Sequence, residues 1–245
     1  MNNRLFKGKQ KKVGIITFWQ SKDNYGQLLQ HYALQFFLTK IGYDPFLIRF
    51  MPTPIGTHMN LWKLLINIVK VYPIMRYVYR ITCKRVEDNN LKWLEEKNKL
   101  RDFELFKKEY IQSSDKIYFS IKDLRDESPK ADYYIVGSDQ VWCMLLNSEN
   151  NKGYFLDFGD EGTKRIAYAA SFGREDYPSS LKPVLSKMLK HFNSISVRED
   201  SGVKICAEVG CEATKVLDPT FLLSRLEYLK ISSNIKCDRF CFIYS

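Results

Sequence analysis

Val13-Gly14-Ile15-Ile16-Thr17-Phe18 is a nearly unbroken apolar run. That is the pattern of a strand covered on both faces of a parallel sheet. A polar loop, 19–26, follows. Leu28, Leu29, Tyr32, Ala33, Phe36 and Phe37 then recur at helical spacing, predicting a helix over about 27–41 with these six as its buried stripe. Gly42 is its stop, and 45–50 reads as a second strand. Strand, loop, helix, strand is the opening of a Rossmann-like unit.

Residues 52 to about 112 break this rhythm. They are helix-prone, with a charged stretch over 92–108, and read as a helical insertion in which Phe103 and Phe106 are core contacts. His58 lies in its leading loop and reads as a surface histidine. The alternation then resumes. Ile117-Tyr118-Phe119 and Tyr133-Tyr134-Ile135-Val136 are followed by the apolar run Tyr154-Phe155-Leu156-Asp157-Phe158. A stretch from Arg165 ends at Ser171-Phe172-Gly173. Helices over 179–191 and 200–209 lead into 194–199 and 215–220. Repeated βα units predict an α/β fold built on a parallel sheet.

In such a sheet the carboxyl ends of the strands share one edge, where ligands collect. Several of these ends carry polar groups: Asn24, Tyr25 and Gln27 after the first strand, Ser138, Asp139 and Gln140 after Val136-Gly137, Ser171, and Arg198. Each has an ordinary structural role beside the functional one. Asn24 serves equally well as a helix cap, and Asp139 is as well placed to fix its loop as to meet a ligand. Arg198 stands either as a bidentate anchor for carboxylate or phosphate or as an ion-pair partner of Glu199, Asp200 or Asp218. The loop at 19–26 carries neither the dinucleotide Gly-x-Gly-x-x-Gly nor the Gly-Lys-Ser/Thr of a P-loop.

The chain has 245 residues, 45% apolar content and a formal charge of +10. The first two can supply a real core, and the third suits an anionic partner. The basic residues are dispersed and no nucleic-acid-binding signature is present, so nucleic acid is not the expected partner. Six cysteines, at 83, 143, 206, 211, 237 and 241, include no Cys-x-x-Cys pair, and no histidine spacing completes a zinc site. Reduced cysteines in a cytosolic protein are expected, with no metal. Residues 61–81 are apolar but hold Lys63, Lys70, Pro73, Arg76 and Arg80. Two amphipathic helices fit them better than a membrane span. Packing within the protein is their default, with peripheral membrane contact as the other option.

Seven blocks, in order, resemble the polysaccharide pyruvyl transferase family. They are Gly14-Ile-Ile-Thr-Phe18, Asn24-Tyr-Gly26 with the helix bearing Gln30 and Gln35, and Val136-Gly-Ser-Asp-Gln-Val-Trp142. Then come Tyr154-Phe-Leu-Asp-Phe158, Arg165-Ile-Ala-Tyr-Ala-Ala-Ser-Phe-Gly173, Ile195-Ser-Val-Arg-Glu199 and Leu217-Asp-Pro-Thr220. The resemblance implies a glycosyltransferase-B-like architecture of two Rossmann-like halves. It also implies transfer of an enolpyruvyl-derived group from phosphoenolpyruvate to a saccharide or lipid-linked saccharide, in bacterial surface polysaccharide synthesis. The protein would be cytoplasmic and near the inner membrane face, and would need no cofactor. Arg198 falls on the family's Ser-Val-Arg-Asp/Glu position, which resembles a phosphoenolpyruvate anchor. The Gly-Ser-Asp-Gln block resembles part of the cleft wall.

On that template, 1–225 form an N-terminal Rossmann-like domain with its insertion at about 52–112. Residues 226–245 begin a second domain whose remainder, including the family's histidine motif, lies beyond Ser245. His31, His58 and His191 do not match that motif. A truncated second half is therefore expected, with catalysis by these residues alone in question. Two other readings stay open: a sugar-nucleotide glycosyltransferase of similar fold, and a non-catalytic fragment or binding module.

Overall fold

The computed structural model describes residues 10–19, 24–52 and 103–232. His58, the helices expected over 61–81, most of the expected insertion and residues 233–245 lie outside the described residues. Seven strands form one sheet: β1 (Lys12–Ile16), β2 (Asp44–Phe50), β3 (Ser113–Tyr118), β4 (Tyr133–Val136), β5 (Lys164–Ala170), β6 (Ser194–Val197) and β7 (Thr214–Lys215). Their spatial order is β3-β2-β1-β4-β5-β6-β7, and every pairing is parallel. The expected α/β, Rossmann-like sheet is what forms. The chain runs outward from β1 to β3, then returns to the centre and runs the other way from β4. The seam between β1 and β4 is thus the topological switch point.

Among the described residues six α-helices accompany the sheet: α1 (Tyr25–Lys40), α2 (Phe103–Tyr110), α3 (Ile121–Asp126), α4 (Lys182–Leu189), α5 (Asp200–Glu208) and α6 (Arg225–Leu229). Both sheet faces are covered. Val13, Ile15 and Ile135 pack under Leu34 and Leu38 of α1. Ile16, Val136, Phe50 and Tyr134 face the larger core, which includes Trp142, Phe155, Phe172 and Leu185. Two-sided burial is why the central strands read as unbroken apolar runs.

α1 starts two residues earlier than expected and ends as predicted. Gly42 (φ 95°) sits past the C-cap, with the Tyr43 N–H donating to the Leu38 carbonyl at 3.0 Å and the Gly42 N–H to Thr39 at 3.0 Å. This is a Schellman stop, which needs a residue at ease in the left-handed region. The buried stripe needs correction. Leu28, Tyr32 and Ala33 are buried, but Leu29, Phe36 and Phe37 are only half-buried, whereas Gln27, His31, Leu34, Gln35 and Leu38 are buried. α1 lies against the sheet on one side and the short 3-10 turn Pro219–Leu222 on another, so its burial wraps too far round for a single stripe.

Two further segments differ from the pattern. The apolar run at 154–158 is no strand: Glu149–Phe155 is a 3-10 helix that stops at Leu156 in the left-handed region (φ 56°). Its aromatic residues cap the core, Phe155 stacking on Trp142 at 5.4 Å while the Trp142 indole N–H donates to the Tyr154 carbonyl at 3.0 Å. β3 begins four residues before Ile117, through polar Ser113, Ser114, Asp115 and Lys116. As an edge strand it is half exposed. The Arg49 guanidinium from β2 reaches across to the Ser114 and Asp115 carbonyls.

Gly153 sits where any side chain would collide, because a Cβ there would lie 2.4 Å from the buried Phe50 ring. Gly153→Ala should therefore lower the unfolding free energy by about 1–3 kcal/mol, read as a lower urea midpoint. An unchanged midpoint would show that the 3-10 segment does not need this close approach.

Candidate functional site at the carboxyl edge of the sheet

The switch point is closed by local bonds. The Gly137 N–H donates to the Ile16 carbonyl at 2.8 Å, and the Thr17 hydroxyl to the Ser138 carbonyl at 2.6 Å. The chain leaving β1 enters α1 through Asn24, whose side chain accepts the Gln27 N–H at 3.1 Å. Asn24 is thus the N-cap. Tyr25 is exposed, with its ring edge-on to Phe103 at 4.7 Å. One turn into the helix, Gln27 crosses to the β4 loop and donates to Asp139 Oδ2 at 3.0 Å.

Asp139 is a strained residue. Its φ is 104°, a conformation that costs a non-glycine residue about 1–3 kcal/mol. Its side chain is held at both oxygens, by Gln27 and by the Gln140 N–H at 2.8 Å. Its carbonyl accepts the Ser171 N–H at 3.1 Å, bridging to the end of β5. Ser171 is fully buried and its hydroxyl accepts the Gly173 N–H at 3.1 Å. Gln140 is the exposed member of the group and lies over Gly173. Asp139 and Ser171 thus build the loop from within, and Gln140 presents an amide to solvent.

The densest junction is at Asp218. Its Oδ1 accepts the Thr220 N–H at 3.0 Å and the Thr220 hydroxyl at 2.9 Å. Its Oδ2 accepts the Ser138 hydroxyl at 2.9 Å, the Gln30 amide, and Arg198 Nη1 at 3.4 Å. Burial pushes the Asp218 carboxyl up, but the bonds from Thr220, Ser138 and Gln30 outweigh it and hold the group below the usual carboxylate range. Arg198 follows β6, and its backbone N–H donates to the Ala170 carbonyl at 3.2 Å. Its Nε donates to Glu199 Oε1 at 3.0 Å. Among the described residues Nη2 has no partner. Partial burial disfavours the Arg198 charge, yet Glu199 and Asp218 more than offset this and raise its pKa.

The expected polar groups therefore do share one edge, in two linked sets: Gln27 with Asp139, Gln140 and Ser171, and Ser138 with Asp218 and Arg198. Sequence reasoning named Asp218 as a partner of Arg198 but missed its place as a junction. Gln30 and Thr220 carried no signal as site residues, although Gln30 lies one turn from Gln27 on the same helix face. Asp-Pro-Thr after a strand also marks a turn whose aspartate bonds its own backbone two residues on. Arg174, also unanticipated, donates to the Cys143 carbonyl at 2.9 Å, while its Nε is buried without a hydrogen-bond partner beside the Tyr177 ring.

A broad depression of about 700 Å³ lies at the opposite edge of the sheet, lined by Lys12, Asp132, Tyr134 and Asp160 among others. It faces the amino ends of the strands. Beside the junction, a cavity of about 10 Å³ between Thr17, Gln30, His31 and Ser138 has room for no more than a water. No group of three or more histidine, cysteine or acidic residues among the described residues could hold a metal ion. No helix among them is long and apolar enough to cross a membrane.

His31 is buried under this edge, its Nε2 donating to the Phe18 carbonyl at 3.0 Å. Burial pushes its pKa down to about 4, with the carbonyl opposing and the Lys107 charge assisting. Its folded-state pKa is thus below the unfolded value of about 6.5. Stability from this group is intact above pH 6.5 and is lost as the pH falls towards 4, by roughly 3 kcal/mol in all. His31→Gln, whose amide can still meet the Phe18 carbonyl, should flatten that part of the pH–stability curve. Parallel wild-type and variant curves would refute it.

The model of the family described as polysaccharide pyruvyl transferase matches residues 24–240. Neither the curated proteins nor the solved structures contain a significant match to the chain. The matched span takes in α1, the β4 loop with Ser138 and Asp139, Arg198 and the Asp218 junction. The chain belongs to the polysaccharide pyruvyl transferase family.

Proposed function

We propose that the donor is phosphoenolpyruvate and that Arg198 anchors it. Family membership points to a pyruvyl donor and a saccharide acceptor. The observation that favours this donor site is the Arg198 guanidinium at the carboxyl edge, part-exposed, with Nη2 unpartnered among the described residues. Phosphoenolpyruvate carries a carboxylate and a phosphate, and a fixed planar cation can hold either one.

The chemistry runs in three steps. An acid delivers a proton to the methylene carbon as an acceptor hydroxyl adds to C2 and gives up its own proton. The resulting tetrahedral C2 expels inorganic phosphate. A second hydroxyl of the saccharide then closes the pyruvate ketal, its proton leaving with phosphate. No metal is required by this route. Gln140, Asn24 and Tyr25 line the wall on the acceptor side. Gln27, Ser138, Asp139 and Ser171 hold that wall in shape. The acceptor is a saccharide or lipid-linked saccharide of bacterial surface polysaccharide synthesis, met in the cytoplasm at the inner membrane face through peripheral contact.

Incubation with phosphoenolpyruvate and a saccharide diol should release inorganic phosphate and yield a ketal detectable by NMR. Release of nucleotide from sugar nucleotides instead would reassign the chain to glycosyl transfer. Arg198→Lys should raise the KM for phosphoenolpyruvate about 10- to 100-fold, since a point charge cannot reproduce two parallel N–H bonds. Unchanged donor kinetics in this variant would remove Arg198 from the donor site.

A further inference from the structure

A guanidinium offers two edges for bidentate binding, Nε with Nη2 and Nη1 with Nη2. In Arg198 each edge is already half-taken, the first by Glu199 at 3.0 Å and the second by Asp218 at 3.4 Å. An incoming carboxylate or phosphate can grip two nitrogens only by displacing one of them. The two carboxylates are not equally held. Asp218 has four other donors, two from Thr220 and one each from Ser138 and Gln30, and its side chain is 16% exposed. Its departure would strand four part-buried donors. Glu199 has Arg198 as its one side-chain partner among the described residues, and its side chain is 36% exposed.

The Glu199 backbone, by contrast, is fixed. Its carbonyl accepts the Gly202 N–H at 3.1 Å and the Val203 N–H at 3.3 Å at the start of α5. The residue is the cap of that helix in an extended conformation (φ −117°, ψ 153°), yet its side chain makes no capping bond. Its carboxylate can therefore leave Arg198 by side-chain rotation into solvent, with no movement of β6 or α5.

We propose that Glu199 is a built-in competitor for the donor's anion, occupying the Nε edge of Arg198 until a carboxylate or phosphate displaces it. Asp218 is the permanent partner that keeps the guanidinium aimed. The assignment rests on Arg198 as donor anchor. Its consequence is quantitative: the apparent affinity for any anion at this edge is reduced by the fraction of Arg198 that Glu199 holds.

The test is isothermal titration of the full chain with phosphoenolpyruvate and, separately, inorganic phosphate. Glu199→Gln keeps the side chain's size and removes its charge, and should bind both about three- to tenfold more tightly than wild type. Glu199→Ala should shift in the same direction. Asp200→Asn removes the same charge one residue along, where the carboxylate pairs with Lys215 instead, and should stay within about twofold of wild type. Equal or weaker binding by both Glu199 variants overturns the proposal. So does equal tightening by Asp200→Asn, which would reduce the effect to net charge. Absence of phosphate release from phosphoenolpyruvate, with tightening intact in Glu199→Gln, overturns the donor reading and supports the competition. Wild-type turnover without tightening overturns the competition alone.

Discussion

Five donors from four parts of the chain converge on the two carboxylate oxygens of Asp218. Gln30 brings α1, Ser138 the end of β4, Arg198 the end of β6, and Thr220 the turn that follows Asp218 itself. A half-buried carboxylate survives only when its lone pairs are used, and here they are. Because the donors come from both sides of the switch point, this one group fixes the relative positions of loops that the sheet alone would leave independent. Removing the carboxylate would leave the guanidinium, three other side-chain donors and one backbone N–H without their shared acceptor, the costly way to break such a pair.

The parallel sheet explains why these groups can meet at all. Every strand delivers its carboxyl end to the same edge, and the reversal of direction between β1 and β4 brings loops from both halves of the sheet together there. One of these loops is built in a demanding way. Asp139 is held at φ 104°, with Gln27, Gln140 and Ser171 all bonded to it. Strain of this kind persists where the surroundings over-determine it, and such places concentrate at functional sites.

Much of the fold was legible in the sequence. β1 and β4 were readable because both their faces are buried, β6 by the alternation that buries Ile195 and Val197, and Gly42 because a helix stop of that kind leaves a distinct mark. β3 was readable only at its apolar end, since an edge strand can afford Ser113 to Lys116. The apolar run at 154–158 does not disclose its conformation, because burial of Tyr154, Phe155 and Leu156 comes from capping the core, which a 3-10 turn does as well as a strand. In the site, the residues at strand ends were found by their common edge. The bonds between them were not: Gln30 and Asp218 are 188 residues apart in sequence, and no local pattern announces such a contact. Of the two roles left open for Arg198, the structure shows the ion pair, with Glu199 and Asp218 both on the guanidinium and Nη2 without a partner among the described residues.

The outer borders of the sheet carry a consequence for association. β7 is two residues long, and β3 is polar, out of register with β2 between Leu47 and Arg49, and has two of its carbonyls occupied by Arg49. Neither offers the long, regular row of unpaired backbone groups on which a foreign strand can template itself. The described part of the molecule is thereby guarded against strand exchange and edge-to-edge aggregation. Among the described residues, loops and helices are left as the surfaces on which a partner can be met.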